Sequence, residues 1–197
     1  MPQARKLPAP SVRIGVFGGS FDPVHNAHLI VAQLVREQLG LDRVLLTVAA
    51  GQPLKSGRHA AAPSHRLRMV ELAVAGIPGL VADGRELRRP SPSYTVDTLR
   101  ELAAEYSDAE LVLIIGSDVA SRFGEWREPD TVRSLAKVAV YQRYGVGAGP
   151  FDATVDVPAM DLSSTVVRDR AAAGLPLAGW VPPAVADYIV ASQLYVE

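Results

Sequence analysis

Residues 12–17 (VRIGVF) form a largely apolar run that Gly18-Gly19 ends abruptly, and from His25 the apolar spacing becomes helical through Leu29, Ala32, Leu34 or Val35, and Leu39. A strand apolar on both sides needs cover on both faces, as in the middle of a parallel sheet. Strand, glycine turn and helix therefore open a βαβ unit, and the alternation repeats downstream. Residues 44–49 read as a strand, 64–75 as a helix, 80–82 and 85–87 as short strand pieces, 94–106 as a helix and 111–115 as another doubly buried strand. Short helices are expected at 119–123 and 130–135, and strands at 137–141 and 154–157. A helix capped by Asp161 or Ser163 should reach Ala173, and Pro182-Pro183 should start a last one through Ile189. The expected fold class is α/β with a doubly wound parallel sheet, which puts ligands at the carboxyl ends of the strands.

The 197 residues are 48% hydrophobic and 21% charged, enough for one domain with a substantial core. Residues 1–11, with three prolines and no apolar stretch, are expected to be a flexible arm, leaving 12–197 as the single domain. Twenty Lys plus Arg against twenty-one Asp plus Glu give a net charge of −1, so no overall field draws the chain to nucleic acid or an anionic membrane. No apolar run approaches the roughly 18–20 residues of a membrane span. The absence of cysteine excludes disulfides, thiolate zinc sites, iron–sulfur clusters and a cysteine nucleophile, and fits a cytoplasmic location.

Chemistry must then come from histidine, carboxylates, hydroxyls, basic side chains and the backbone. GGSFDPVHNAH, beginning with Gly18, Gly19, Ser20 and Phe21, lies between the first strand and first helix, where N–H groups and the helix dipole favour an anion. His25 and His28, three residues apart, share one helix face and can donate to phosphate oxygens. The turn is neither GxxxxGK[ST] nor GxGxxG. Two structural histidines are the alternative, and a zinc site lacks a third ligand at a matching spacing. Ser163, Ser164, Thr165 and Arg168 read as a second anion site at a helix N-terminus, or as an ordinary cap with a solvated arginine. Asp118, after Gly116, is placed to hold a ribose hydroxyl or metal-bound water, or to cap a helix. Arg143 follows the fourth core strand, on the phosphate side or as a surface charge.

In order along the chain, GGSFDPVHNAH, Tyr94-Thr95-Val96-Asp97-Thr98-Leu99 and Leu162-Ser163-Ser164-Thr165-Val166-Val167-Arg168 resemble the bacterial nicotinate-nucleotide adenylyltransferase family of the nucleotidyltransferase superfamily. Gly116-Ser117-Asp118 with Trp126 downstream is similar too, and the resemblance spans residues 13–195. It implies a Rossmann-like nucleotidyltransferase fold and an in-line attack by the phosphate of nicotinate mononucleotide on the α-phosphorus of ATP, with Mg²⁺ bridging phosphates. His25 and His28 would be catalytic. Gly18, Gly19, Ser20, Phe21, Ser163, Ser164, Thr165 and Arg168 would hold ATP, and Lys55, Thr95, Gly116, Asp118, Trp126 and Arg143 the acceptor; no residue is assigned as a metal ligand. Trp126 would stack on the pyridine ring, with core packing as the alternative, and Lys55 is equally readable as a surface charge.

Two departures stand out: Ala27 where the family has glycine, and Leu54 where its loop often has histidine. They keep open a related nucleotidyltransferase with another phosphate acceptor, or a weakly active nucleotide-binding paralogue. The expected partners are ATP and nicotinate mononucleotide, without nucleic acid or membrane, and a homo-oligomer is left open.

Overall fold

A computed structural model describes residues 12–50, 60–142 and 150–196. Six strands, β1 (Val12–Gly19), β2 (Arg43–Val48), β3 (Leu80–Asp83), β4 (Ala109–Gly116), β5 (Lys137–Tyr141) and β6 (Ala153–Val155), form one sheet in the order β3-β2-β1-β4-β5-β6. All five pairings are parallel. The helices are α1 (Asn26–Gln38), α2 (Pro63–Val74), α3 (Thr95–Glu105), α4 (Ser117–Ala120), α5 (Pro129–Leu135), α6 (Ser164–Ala172) and α7 (Pro183–Ala191).

The strands sort their side chains with a period of two. Leu111, Leu113 and Ile115 of β4 join Ile14 and Val16 of β1 under α3 and α5, against Leu99, Leu102 and Val132. Val112 and Ile114 of β4 join Phe17 of β1 on the opposite face, under α1, α2, α6 and α7, with Val35, Met69, Val167 and Ile189. Burial of both faces is the sense in which the sheet is doubly wound. Strand order reverses between β1 and β4, so their carboxyl ends, at Gly19 and Gly116, flank the topological switch point where ligands bind in open α/β sheets.

Two local expectations are corrected. Residues 85–87 are not strand but part of a 3₁₀ turn, Arg85–Arg88. The Asp83 carboxylate accepts from the Arg85 backbone N–H at 3.2 Å and from Arg85 Nε at 2.7 Å, folding the chain back on its own aspartate. The last strand stops at Val155 rather than 157, close before Pro158, which has no N–H to contribute to a ladder.

Candidate active site

The turn after β1 is shaped by a close approach. Phe21 adopts a left-handed conformation with φ 48°, and its ring folds back over Gly19, where a Cβ would meet ring carbons at 2.9–3.1 Å. That ring, 1% exposed, packs edge-on against the His28 imidazole with centroids 5.0 Å apart. Phe21, assigned to ATP on resemblance, is therefore buried backbone and ring alike, whereas Gly18 is exposed.

His25 and His28 open α1 as a capping box, with His25 at the N-cap and His28 three residues on, where Ser/Thr and Glu are usual. The His25 backbone N–H donates to His28 Nδ1 at 3.2 Å, and the two rings stack at 3.7 Å between centroids. Accepting at Nδ1 places the proton of a neutral His28 ring on Nε2, which makes Nε2 a donor. His25 is 2% exposed, so His28 is the more accessible of the pair. Together they line a small cavity of about 20 Å³ with Ala27 and Met160. The Ala27 methyl is thus buried beside both imidazoles.

Phe17 and Tyr141 border both this cavity and a cleft of about 370 Å³ at the switch point. The cleft gathers Gly18 and Gly19 from β1, Thr95 from the start of α3, Gly116 and Asp118 from the end of β4, and Trp126. A Cβ on Gly116 would lie 2.5 Å from the Asp118 carboxylate and 3.1 Å from the Tyr141 ring, so a larger residue here would displace the Asp118 side chain. Trp126 is half-buried beside Phe123, at 5.2 Å between centroids, and still faces the cleft.

The start of α6 docks onto the same turn. Ser163 caps the helix, accepting from the Val166 N–H at 3.4 Å. Ser164 donates its hydroxyl to the Pro23 carbonyl at 2.9 Å, and Arg168 donates to the Asp22 carbonyl at 2.7 Å and to the Thr165 hydroxyl at 3.2 Å. These four residues thus adjoin the histidine turn, but the Ser164 hydroxyl and part of the Arg168 guanidinium hold that turn in place. Ser20 lies in it, its carbonyl accepting from Arg66 at 2.7 Å. Lys55, Leu54 and Arg143 lie outside the described residues.

Several contributors were not singled out from the sequence. Glu86 lines the cleft, accepting from the Thr98 hydroxyl at 2.8 Å and from the Ala50 N–H; burial pushes its carboxyl above the usual range. Arg89 ties Ser93 and Thr98 together, at 2.6 Å each, and Arg127 lies over the Tyr94 ring at 4.7 Å. Arg66 is fully buried, and burial lowers its pKa. It occupies the buried stripe of α2 with Met69, Val70 and Ala73, so a cation on an apolar helix face was the available signal.

A helix start bearing two histidines beside a cleft at the switch point of a parallel sheet is the layout of a nucleotide-handling α/β enzyme. The sequence matches the cytidylyltransferase-like family over residues 16–170. Two curated relatives, each named probable nicotinate-nucleotide adenylyltransferase, come from Thermomicrobium roseum (39% identical, 93% of this chain and 91% of the relative) and Streptococcus pneumoniae serotype 4 (42% identical, 93% and 88%). The chain belongs to the nicotinate-nucleotide adenylyltransferase family. The fold is shared with the Plasmodium falciparum nicotinic acid mononucleotide adenylyltransferase solved in complex with NaAD, at a TM-score of 0.74 and 18% identity over 93% of this chain and 97% of that one.

Proposed function

We propose that this enzyme transfers the adenylyl group of ATP to nicotinate mononucleotide, giving deamido-NAD and pyrophosphate, a step of NAD biosynthesis. The observation that carries the reading is a pair of adjoining cavities that share Phe17 and Tyr141: both histidines line the smaller, and the start of α3 and Trp126 line the larger.

An oxygen of the acceptor phosphate forms a bond to the α-phosphorus while the bond from that phosphorus to the bridging oxygen of pyrophosphate breaks, the electron pair leaving with pyrophosphate. The protein must align two anions and offset charge at the transferring group. His28 Nε2 is the donor aimed at phosphate oxygens, and stacking on His25 and contact with Phe21 fix its ring. Arg168 and the start of α6 border the triphosphate. At the far end the Thr95 and Val96 N–H groups, which precede the Asp97 and Thr98 N–H groups that donate to the Tyr94 carbonyl, suit the pyridine carboxylate, with Trp126 under the ring.

Among the described residues no cluster of three or more His, Cys, Asp or Glu is placed to hold a metal ion. Mg²⁺ arriving with ATP keeps waters and relies on phosphate oxygens and one or two carboxylates, and Asp118, at the end of β4, is the cleft carboxylate that would serve it. Bound there, Mg²⁺ would neutralise charge on the phosphates. Among the described residues no helix is long and apolar enough to cross a membrane.

Purified protein with ATP, Mg²⁺ and a panel of phosphate acceptors, followed by pyrophosphate release, tests the reading. Turnover with nicotinate mononucleotide is expected. Turnover only with another acceptor would replace it by a related nucleotidyltransferase, and nucleotide binding without turnover by a binding paralogue.

A further inference from the structure

The Asp22 side chain, 5% exposed, is a hub beneath the histidine turn. Its Oδ2 accepts from the Ala60 N–H at 2.6 Å, and its Oδ1 from the Ala61 N–H at 3.1 Å and from the Tyr195 hydroxyl at 2.7 Å. The buried Arg66 guanidinium adds positive charge nearby while donating to the Ser20 and Ala49 carbonyls at 2.7 and 2.8 Å. Arg168 holds the Asp22 backbone carbonyl at 2.7 Å. A buried carboxylate is stable only with such a set of donors, and a hydroxyl donating to it makes a short, charge-assisted bond.

The neighbouring residue transmits whatever Asp22 does. Phe21, held at φ 48°, adjoins Asp22 in the chain, and its ring packs between Gly19 and the His28 imidazole. We propose that Tyr195 is a positioning residue for catalysis: by donating to Asp22 it fixes the Phe21–Asp22–Pro23 turn, and through the Phe21 ring it sets the orientation of His28. Burial and the adjacent carboxylate hold the Tyr195 phenol well above its ordinary range, so it remains a donor across the working pH. The inference rests on the adenylyl-transfer reading for its kinetic consequence, although the geometry itself does not.

The test compares the full chain with Tyr195→Phe, Asp22→Asn, the double variant and a control, Tyr188→Phe, which removes a hydroxyl 2.8 Å from His65 Nδ1 on α2. In steady state with ATP, Mg²⁺ and nicotinate mononucleotide, Tyr195→Phe is expected to lower kcat about tenfold with KM within about twofold, because misalignment acts on the transition state. Asp22→Asn should lose at least as much, and the double variant no more than Asp22→Asn alone. Tyr188→Phe should keep wild-type kcat. A lower melting temperature for Tyr195→Phe with wild-type kcat and KM well below melting would show a merely structural bond and overturn the proposal, as would losses that multiply in the double variant. Nitrogen and ring-proton NMR resonances of His28 in the ligand-free protein, which do not depend on the acceptor, are expected to move in Tyr195→Phe and stay fixed in Tyr188→Phe. Unmoved resonances in Tyr195→Phe overturn it too. Wild-type protein silent on nicotinate mononucleotide would contradict the functional reading alone, and the resonances would still decide the positioning role.

Discussion

The two ends of the site are built on opposite plans. At the histidine turn most of the tethers run from side chain to backbone over long sequence distances: Ser164 to Pro23, Arg168 to Asp22, Arg66 to Ser20. At the cleft end the side chains mainly bond to one another within a short stretch, as Glu86, Arg89, Ser93 and Thr98 do. Backbone clamping fixes atoms for reaction, because a peptide held from several elements cannot swing. A wall of paired side chains sets the shape and charge of a pocket instead. The comparison teaches that rate should be sensitive to the first region and acceptor affinity to the second.

The largest effect that could break this division is at His28. His28→Ala is expected to lower kcat by on the order of a hundredfold or more, about 3–4 kcal/mol, with an unchanged circular dichroism spectrum. Unchanged turnover would remove the histidine turn from the mechanism. Next comes Trp126→Ala at the other end, which should act chiefly on KM for nicotinate mononucleotide, by roughly ten- to a hundredfold, about 1–3 kcal/mol of lost ring stacking. A loss in kcat at unchanged KM would show that the two ends do not divide the work in this way.

Ala27→Gly sharpens the first region. Its methyl is 3% exposed beside both histidines. Glycine in the first turn should lower stability by about 0.5–1 kcal/mol, read from denaturant unfolding. If the methyl crowds the phosphate, kcat/KM for ATP rises by about three- to tenfold; an unchanged value means the turn has accommodated alanine. The smallest effect concerns Glu86. Its carboxyl is raised by burial in the folded protein, so between its ordinary and raised values the folded chain binds the proton more tightly than the unfolded one. Stability contributed by Glu86 is therefore greatest at low pH and falls as pH rises through that window. The difference in unfolding free energy between wild type and Glu86→Gln should show that slope, and a difference flat with pH would contradict it.

What was legible in the sequence follows the range of the forces involved. The doubly buried strands and α1 announce themselves in local periodicity, and His25, His28, Gly116 and Asp118 sit where strand ends and helix starts could be read directly, whereas Thr95 and Trp126 stand out only through the family resemblance. The 3₁₀ turn at Arg85–Arg88 was misread because one aspartate side chain, not periodicity, dictates it. The Ser164 and Arg168 assignments carried no hint that these side chains brace the turn. Asp22 and Tyr195, 173 residues apart, meet only once the sheet has assembled, so no local pattern could announce them.

The central claim is that this site takes a pyridine mononucleotide through its carboxylate. A competition assay with equal nicotinate and nicotinamide mononucleotides, limiting ATP and Mg²⁺, and dinucleotide products separated by mass tests it most directly. A carboxylate offers only acceptors to the N–H groups at the start of α3, whereas a carboxamide must turn an NH₂ away and brings no charge. The acid product should therefore exceed the amide product by at least about tenfold, roughly 1.4 kcal/mol. Equal yields, or an excess of the amide product, would contradict the account.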